Sequence, residues 1–281
     1  MPSVTVIQPN RAWLRIPWRE IWRYRDLVAL LVRRDFVATY KQTVLGPLWY
    51  VIQPLFQTAV FTVIFGNLAD LPTDEFPKPI FYLCGTLAWA YFSQCAGGTS
   101  SVLTANATLF GKVYFPRLVI PVSRVITNLI GFAIQFGTFL VLWGYFRLFV
   151  AAGADLSMNW WALLLPVGLL VSAAAGMGVG LWVSALTCKY RDFTMVFQFV
   201  LRLWMYATPV VYPLSLVPER WRWLSALNPM TAVAEFYRLA LLGRGLVEPL
   251  FVVLSIAMSL LLLLSGMIVF TRAERTFIDT V

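Results

Sequence analysis

The sequence predicts an all-α integral membrane protein of six transmembrane helices, and three observations carry that prediction. Six apolar stretches begin near Leu48, Ile80, Val119, Trp160, Thr194 and Pro249. Most run about 20 residues, the length that takes a helix across a hydrocarbon layer of roughly 30 Å. Of 281 residues, 60% are hydrophobic and only 12% charged, whereas soluble domains carry about 25% charged residues. The basic residues are also placed unevenly. Of 22 Lys and Arg, 15 lie before Leu48, in the second and fourth connections, or at the C-terminus. The positive-inside rule makes that side cytoplasmic, and an even number of spans puts both termini there. The net charge of +9 therefore describes an inner membrane face and implies no nucleic acid.

The first 44 residues hold no span, and the N-terminus begins polar and basic, so no cleaved signal is expected. Residues 17–40 read PWREIWRYRDLVALLVRRDFVATY. Arg19 and Arg23 stand one turn apart, and Trp18, Ile21, Trp22, Val28, Leu31 and Val32 can form an apolar face. A basic, aromatic, amphipathic helix of this kind suits the headgroup region of an anionic leaflet. The chain thus divides into a cytoplasmic interface segment, 1–44, and a six-span domain, 45–281.

The first span carries Pro54, and the loop after it is acidic, with Asp70, Asp74 and Glu75 against Lys78. The second is marginal in length and shades into Gly97–Gly98, so a tilted or broken helix is expected. Residues 100–121 mix Asn106, Lys112 and Arg117 with Leu109, Phe110, Val113, Tyr114 and Phe115, which suits a short helix at the cytoplasmic face. The fourth span repeats Ser172, Gly176, Gly180 and Ser184 every four residues. Such a ridge lets helix backbones approach closely, the main attraction available inside lipid; its partner is another helix of the chain or a second copy. Between the fifth and sixth spans, Pro213, Pro218 and Pro229 interrupt a segment that includes Glu235 and Arg238. Charges there are tolerable only if paired and facing protein or water. One or two short re-entrant helices in the outer leaflet fit this pattern.

Several chemistries are excluded. The chain has no histidine, so His-based catalysis, metal sites and proton relays are absent. No G-x-x-x-x-G-K-[ST] phosphate loop exists: Gly111–Lys112 is followed by Val113. None of the 13 Asp and Glu residues falls within the six expected spans, which argues against proton coupling. Cys84, Cys95 and Cys188 lack metal-ligand spacing and read as packing residues. The intramembrane charge is Arg202, a candidate for a pore-facing cation meeting an anionic group such as a lipid diphosphate. The alternative is an Arg packed on backbone carbonyls or snorkelling to one face. Most of the aromatic residues, 16% of the chain, fit interfacial belts.

Four runs in register resemble a known family: RDFVATYKQTVLGPLWYVIQPL (34–55), NATLFGKVYFPRLVIPVSRV (106–125), KYRDF (189–193) and PVVYPLSLVPERWRWLSALNPMT (209–231). They look like the membrane subunit of type-2 ABC exporters, and more narrowly like permeases for lipid-linked polysaccharides (O-antigen, capsule and teichoic acid precursors). The resemblance implies a homodimer in the bacterial inner membrane, docked on two copies of a separate nucleotide-binding subunit that binds ATP and Mg. No cofactor or metal is expected in this chain, which would not itself be an enzyme. The family picture places Trp18, Arg19, Trp22 and Arg23 on an interface helix. It makes Lys112, Tyr114, Phe115 and Arg117 part of the surface gripped by the ATPase, and puts Glu235 and Arg238 in outer gate helices. The substrate implied is an undecaprenyl-linked polysaccharide. Two other readings stay open: a permease for a drug or small lipid, and an integral membrane glycan or lipid transferase.

Overall fold

A computed structural model describes residues 18–41, 43–110, 115–150, 156–190 and 192–278. Among them every regular element is helical. In chain order these are α1 (Trp18–Arg23), α2 (Arg25–Tyr40), α3 (Trp49–Phe61), α4 (Lys78–Ser100), α5 (Val102–Ala105), α6 (Ala107–Phe110), α7 (Val119–Phe149), α8 (Leu165–Thr187), α9 (Phe193–Ala207), α10 (Glu219–Ala226), α11 (Pro229–Leu242) and α12 (Pro249–Ile278). A 3₁₀ turn leads into α3, another into α8, and α3 continues into a π-helical stretch, Thr62–Leu68.

Among the described residues, four helical runs are long and apolar enough to cross a membrane: Gly46–Leu68, Val119–Phe149, Trp160–Thr187 and Pro249–Glu274. The second and fifth expected spans are helical but each fails one requirement. Helix α9 has 15 residues, about 22 Å at 1.5 Å per residue. Helix α4 has 23 residues but is more polar, because its neighbours are protein. It packs on α3, α7, α8, α9 and α11, and most of its length is buried. Of the tilt or break expected at Gly97–Gly98, the break is not found: both glycines lie inside continuous α4, facing the side-chain amides of Gln198 and Asn128.

Helix α8 packs most extensively, on α12 along one side and α4 along the other. The ridge of small residues finds its partner within the chain. A Cβ on Gly176 would lie 2.7 Å from the Phe92 carbonyl oxygen, and one on Gly180 2.7 Å from that of Ala96. Ser184 Oγ accepts a hydrogen bond from Leu103 N at 3.3 Å. The α8–α12 contact uses glycines outside that ridge, Gly178 and Gly266, whose backbones touch.

The two ends of the bundle are tied differently. At the end where α2 meets the last turns of α12, α2 lies along α7 and buries Val28 and Leu31. Asp35 is buried between Arg34 (2.8 Å) and Arg124 of α7 (3.3 Å). Trp22 is exposed, with Arg25 6.0 Å from its ring centroid. Asp35→Ala is expected to free α2 from α7 at a cost of about 2 kcal/mol, the worth of hydrogen bonds to a charged group. Faster amide hydrogen exchange across residues 25–40, with the remainder unchanged, checks this.

At the opposite end, all three acidic residues of the loop after α3 take left-handed backbone: Asp70 (φ 46°), Asp74 (φ 49°) and Glu75 (φ 68°). Each is held by a partner. Asp70 pairs with Lys78 at 3.4 Å, Glu75 with Arg244 at 2.7 Å, and Asp74 accepts from Ser215 Oγ at 3.0 Å. The loop is thereby stitched to the connections on both sides of α10 and α11.

Candidate functional site

Helix α11 is the element the sequence made hardest to place. Its start is set by Asn228, whose side chain accepts from Met230 N at 3.1 Å, followed by Pro229 at the first helical position. Its end is set by Gly243 in left-handed backbone (φ 95°). That is the usual division of labour between Asn-Pro at a start and Gly at a stop. Glu235 and Arg238 sit one turn apart with side chains 2% and 1% exposed, and pair at 2.6 Å.

The surroundings of that pair show what it holds. Arg238 donates to the backbone carbonyls of Val210 (3.0 Å) and Tyr212 (3.3 Å), and its guanidinium lies 4.1 Å from the Phe81 ring centroid. Glu235 accepts from the backbone N–H of Leu214 and of Leu246, each at 3.1 Å. The pair therefore satisfies backbone groups of the irregular segments before α10 and after α11, groups that no helix serves and that are costly to leave unpaired in an apolar setting.

At the end where α12 finishes, Arg117 is buried. It donates to the Glu274 carbonyl oxygen at 2.7 Å, pairs with the Glu274 carboxylate at 3.4 Å and lies 5.0 Å from the Phe110 ring. Phe115 is buried in the same cluster. Half-buried Cys188 is nearby, where burial pushes its thiol up and the Arg117 charge opposes the shift. Lys112 and Tyr114, and the side chains of Trp18 and Arg19, lie outside the described residues. Arg23 is exposed on α1.

Arg202 faces a cavity of about 710 Å³ between α3, α4, α7 and α9, within the range usual for ligand pockets. Its lining sets it apart from two cavities of comparable size, about 540 and 700 Å³, which are almost wholly apolar. Five of the chain's seven glutamines meet here: Gln53 and Gln57 from α3, Gln94 from α4, Gln135 from α7 and Gln198 from α9. Ser93 and Thr86 add hydroxyls, Trp89 and Tyr206 add ring edges, and no carboxylate contributes.

Helical spacing explains the convergence. Thr86, Trp89, Ala90, Ser93, Gln94, Gly97 and Gly98 recur at three- and four-residue steps on α4, as do Gln198, Leu201, Arg202, Met205 and Tyr206 on α9. Each set is one face of its helix. Gly97 makes room for Gln198, whose amide nitrogen would lie 3.3 Å from a Cβ at that position. Gln57 donates weakly to Met205 Sδ at 3.6 Å. Gln135 is largely buried, with a relative exposure of 6%, and it lines the cavity. A carboxamide offers two donors and an acceptor, so five of them on one wall suit a polar occupant.

A model of the ABC-2 type transporter family matches residues 26–242, from the first turn of α2 to the last residue of α11. The chain belongs to the ABC-2 type transporter family. Two relatives named RfbA match over 90% or more of the chain. The O-antigen export system permease protein RfbA of Myxococcus xanthus is 30% identical over 267 residues, 94% of this chain and 98% of that protein. A protein of the same description from Klebsiella pneumoniae is 25% identical, covering 90% of this chain and 94% of its own length. The polysialic acid transport protein KpsM of Escherichia coli is 23% identical over 223 residues, 76% of this chain and 81% of the relative. In this transporter the polar cavity lies inside the matched region. The sequence signal for it was present as glutamines at helical spacing in apolar runs, but membership in one cavity depends on how four helices pack.

Proposed function

We propose that this chain is the membrane permease subunit of an ATP-driven exporter. It moves a lipid-linked polysaccharide of O-antigen or capsule type from the cytoplasmic to the outer side of the bacterial inner membrane. The observation that carries the reading is a polar cavity without carboxylates, sunk among helices otherwise apolar. Relatives described as O-antigen export permeases and polysialic acid transport proteins support it.

In this reading α4 and α9 are the second and fifth of six spans, both termini face the cytoplasm, and α10 and α11 are re-entrant gate helices of the outer leaflet. Residues 1–44 form the interface segment and 45–281 the membrane domain. Two copies of the chain assemble with two copies of a nucleotide-binding subunit that binds ATP and Mg. Large apolar side chains stand exposed on two of the helices that line the cavity, among them Phe56 on α3 and Phe199 and Leu203 on α9. Pairing two such faces would enclose two cavities in one polar route. ATP-driven closure of the partner subunits would move the loop of Lys112, Tyr114 and Phe115. Arg117 would transmit that motion to α12 through Glu274. Arg117→Ala is expected to lower export several-fold while the complex still assembles and hydrolyses ATP, read as surface glycan per unit of purified complex.

Deleting the gene in its host and extracting lipids tests the function. Long undecaprenyl-linked polymer trapped inside, with surface glycan lost, is the expected outcome. Unchanged surface glycan would sink the polysaccharide reading and leave a drug or small-lipid permease to be tested.

A further inference from the structure

We propose that the glutamine-lined cavity is a binding site for uncharged sugar hydroxyls, so that the glycan repeat handled by this chain is neutral. The inference rests on the export reading and names the substrate class of that same cavity. Its basis is the donor set. Glutamine carboxamides both donate and accept, which matches hydroxyl groups that do the same. A Gln–hydroxyl contact can slide to the next hydroxyl without any change of charge, as passage of a polymer demands.

The charge inventory points the same way. The lining holds one cation, Arg202, and no carboxylate. A polymer with an acidic group in every repeat would bring several anions at once into a low-dielectric wall with one counter-charge, which is strongly unfavourable. A neutral polymer needs none, and Arg202 remains available for a single anionic group. A metal cation has no ligands here: among the described residues no cluster of His, Cys, Asp or Glu has metal-binding form. An apolar ligand would displace water from the five carboxamides of the lining without replacing its hydrogen bonds. Water fills such a site between transport events, and hydroxyls replace it at little enthalpic loss.

Other occupants of the same face make different predictions. If the glutamines instead bond across a homodimer, their loss would separate the protomers. If they only pack, apolar substitutes of similar volume would be neutral.

The test uses Gln135→Leu, Gln198→Leu and the rim pair Gln53→Leu/Gln57→Leu in the full complex, expressed in the native host. Surface glycan, complex recovered by co-purification, and the sugar composition of the exported polymer are measured. The expected result is a tenfold or greater loss of export with complex recovery unchanged, and a polymer whose repeat carries no uronic, sialic or phosphate group. Should Gln135→Leu fail to accumulate, the half-exposed rim pair decides. Export at the wild-type rate, loss of the dimer in step with loss of export, or an acidic repeat would each overturn the inference. Those outcomes are separable from failure of the export reading, in which deletion of the whole gene leaves surface glycan intact.

Discussion

Glu235→Ala is expected to remove most of the folded protein from the membrane, and Arg238→Ala to do the same. Each leaves the other charge buried beside α4 with its counter-ion gone, a loss of about 3–5 kcal/mol for pairs of this kind. Each also releases two backbone groups: Leu214 and Leu246 N–H for Glu235, and Val210 and Tyr212 carbonyls for Arg238. The double variant Glu235→Leu/Arg238→Met leaves no orphaned charge, and it should fall between wild type and the single variants. The thermal midpoint of the purified protein in detergent gives the order. Single variants as stable as wild type would show that the pair is not what holds the irregular outer segment.

Gly178→Leu is the second large effect expected. A Cβ on Gly178 would lie 2.5 Å from the backbone nitrogen of Leu263, and one on Gly266 2.5 Å from the Gly178 carbonyl oxygen. Both obstacles are helix backbone, which cannot turn aside as a side chain can. Relief requires α8 and α12 to separate along their most extensive contact, so the cost should exceed the roughly 1–3 kcal/mol of ordinary overpacking. Gly266→Leu should behave alike. Gly137→Leu and Gly144→Leu, on α7 with open space beyond the Cα, are the near-neutral comparison. Recovered monodisperse protein is the readout.

The helices were legible in the chain because apolar runs of membrane length leave few alternatives. Their starts at Val119 and Pro249 coincide with the expected ones, and those near Leu48, Ile80, Trp160 and Thr194 fall within a few residues. The caps of α11 were likewise written locally, in Asn228–Pro229 and Gly243. What lay beyond reach depended on tertiary packing. The ridge from Ser172 to Ser184 announced a close partner but could not say that α4 supplies it. Gly97–Gly98 suggested a tilt or a break because two helix-weakening glycines stand together, and nothing local shows that the helix runs through them to Ser100.

The same limit hid the site. Glu235 and Arg238 were recognisable as charges that must be paired, and their spacing of one turn allowed that pairing. The four backbone groups they also satisfy belong to segments 20 or more residues upstream and about ten downstream. Arg202 drew notice as a charge in an apolar run. The five glutamines did not, since each alone is an ordinary polar residue, and only the packing of α3, α4, α7 and α9 brings them to one wall.

The central claim is that this chain carries a lipid-linked polysaccharide across a membrane when driven by a partner ATPase. Reconstitution of the chain with that ATPase in vesicles loaded with its undecaprenyl-linked glycan tests it most directly. A membrane-impermeant glycosidase on the far side should digest the glycan only after ATP and Mg are supplied. It should not do so with a hydrolysis-deficient partner. Glycan that stays protected despite ATP turnover by an intact complex would contradict the account.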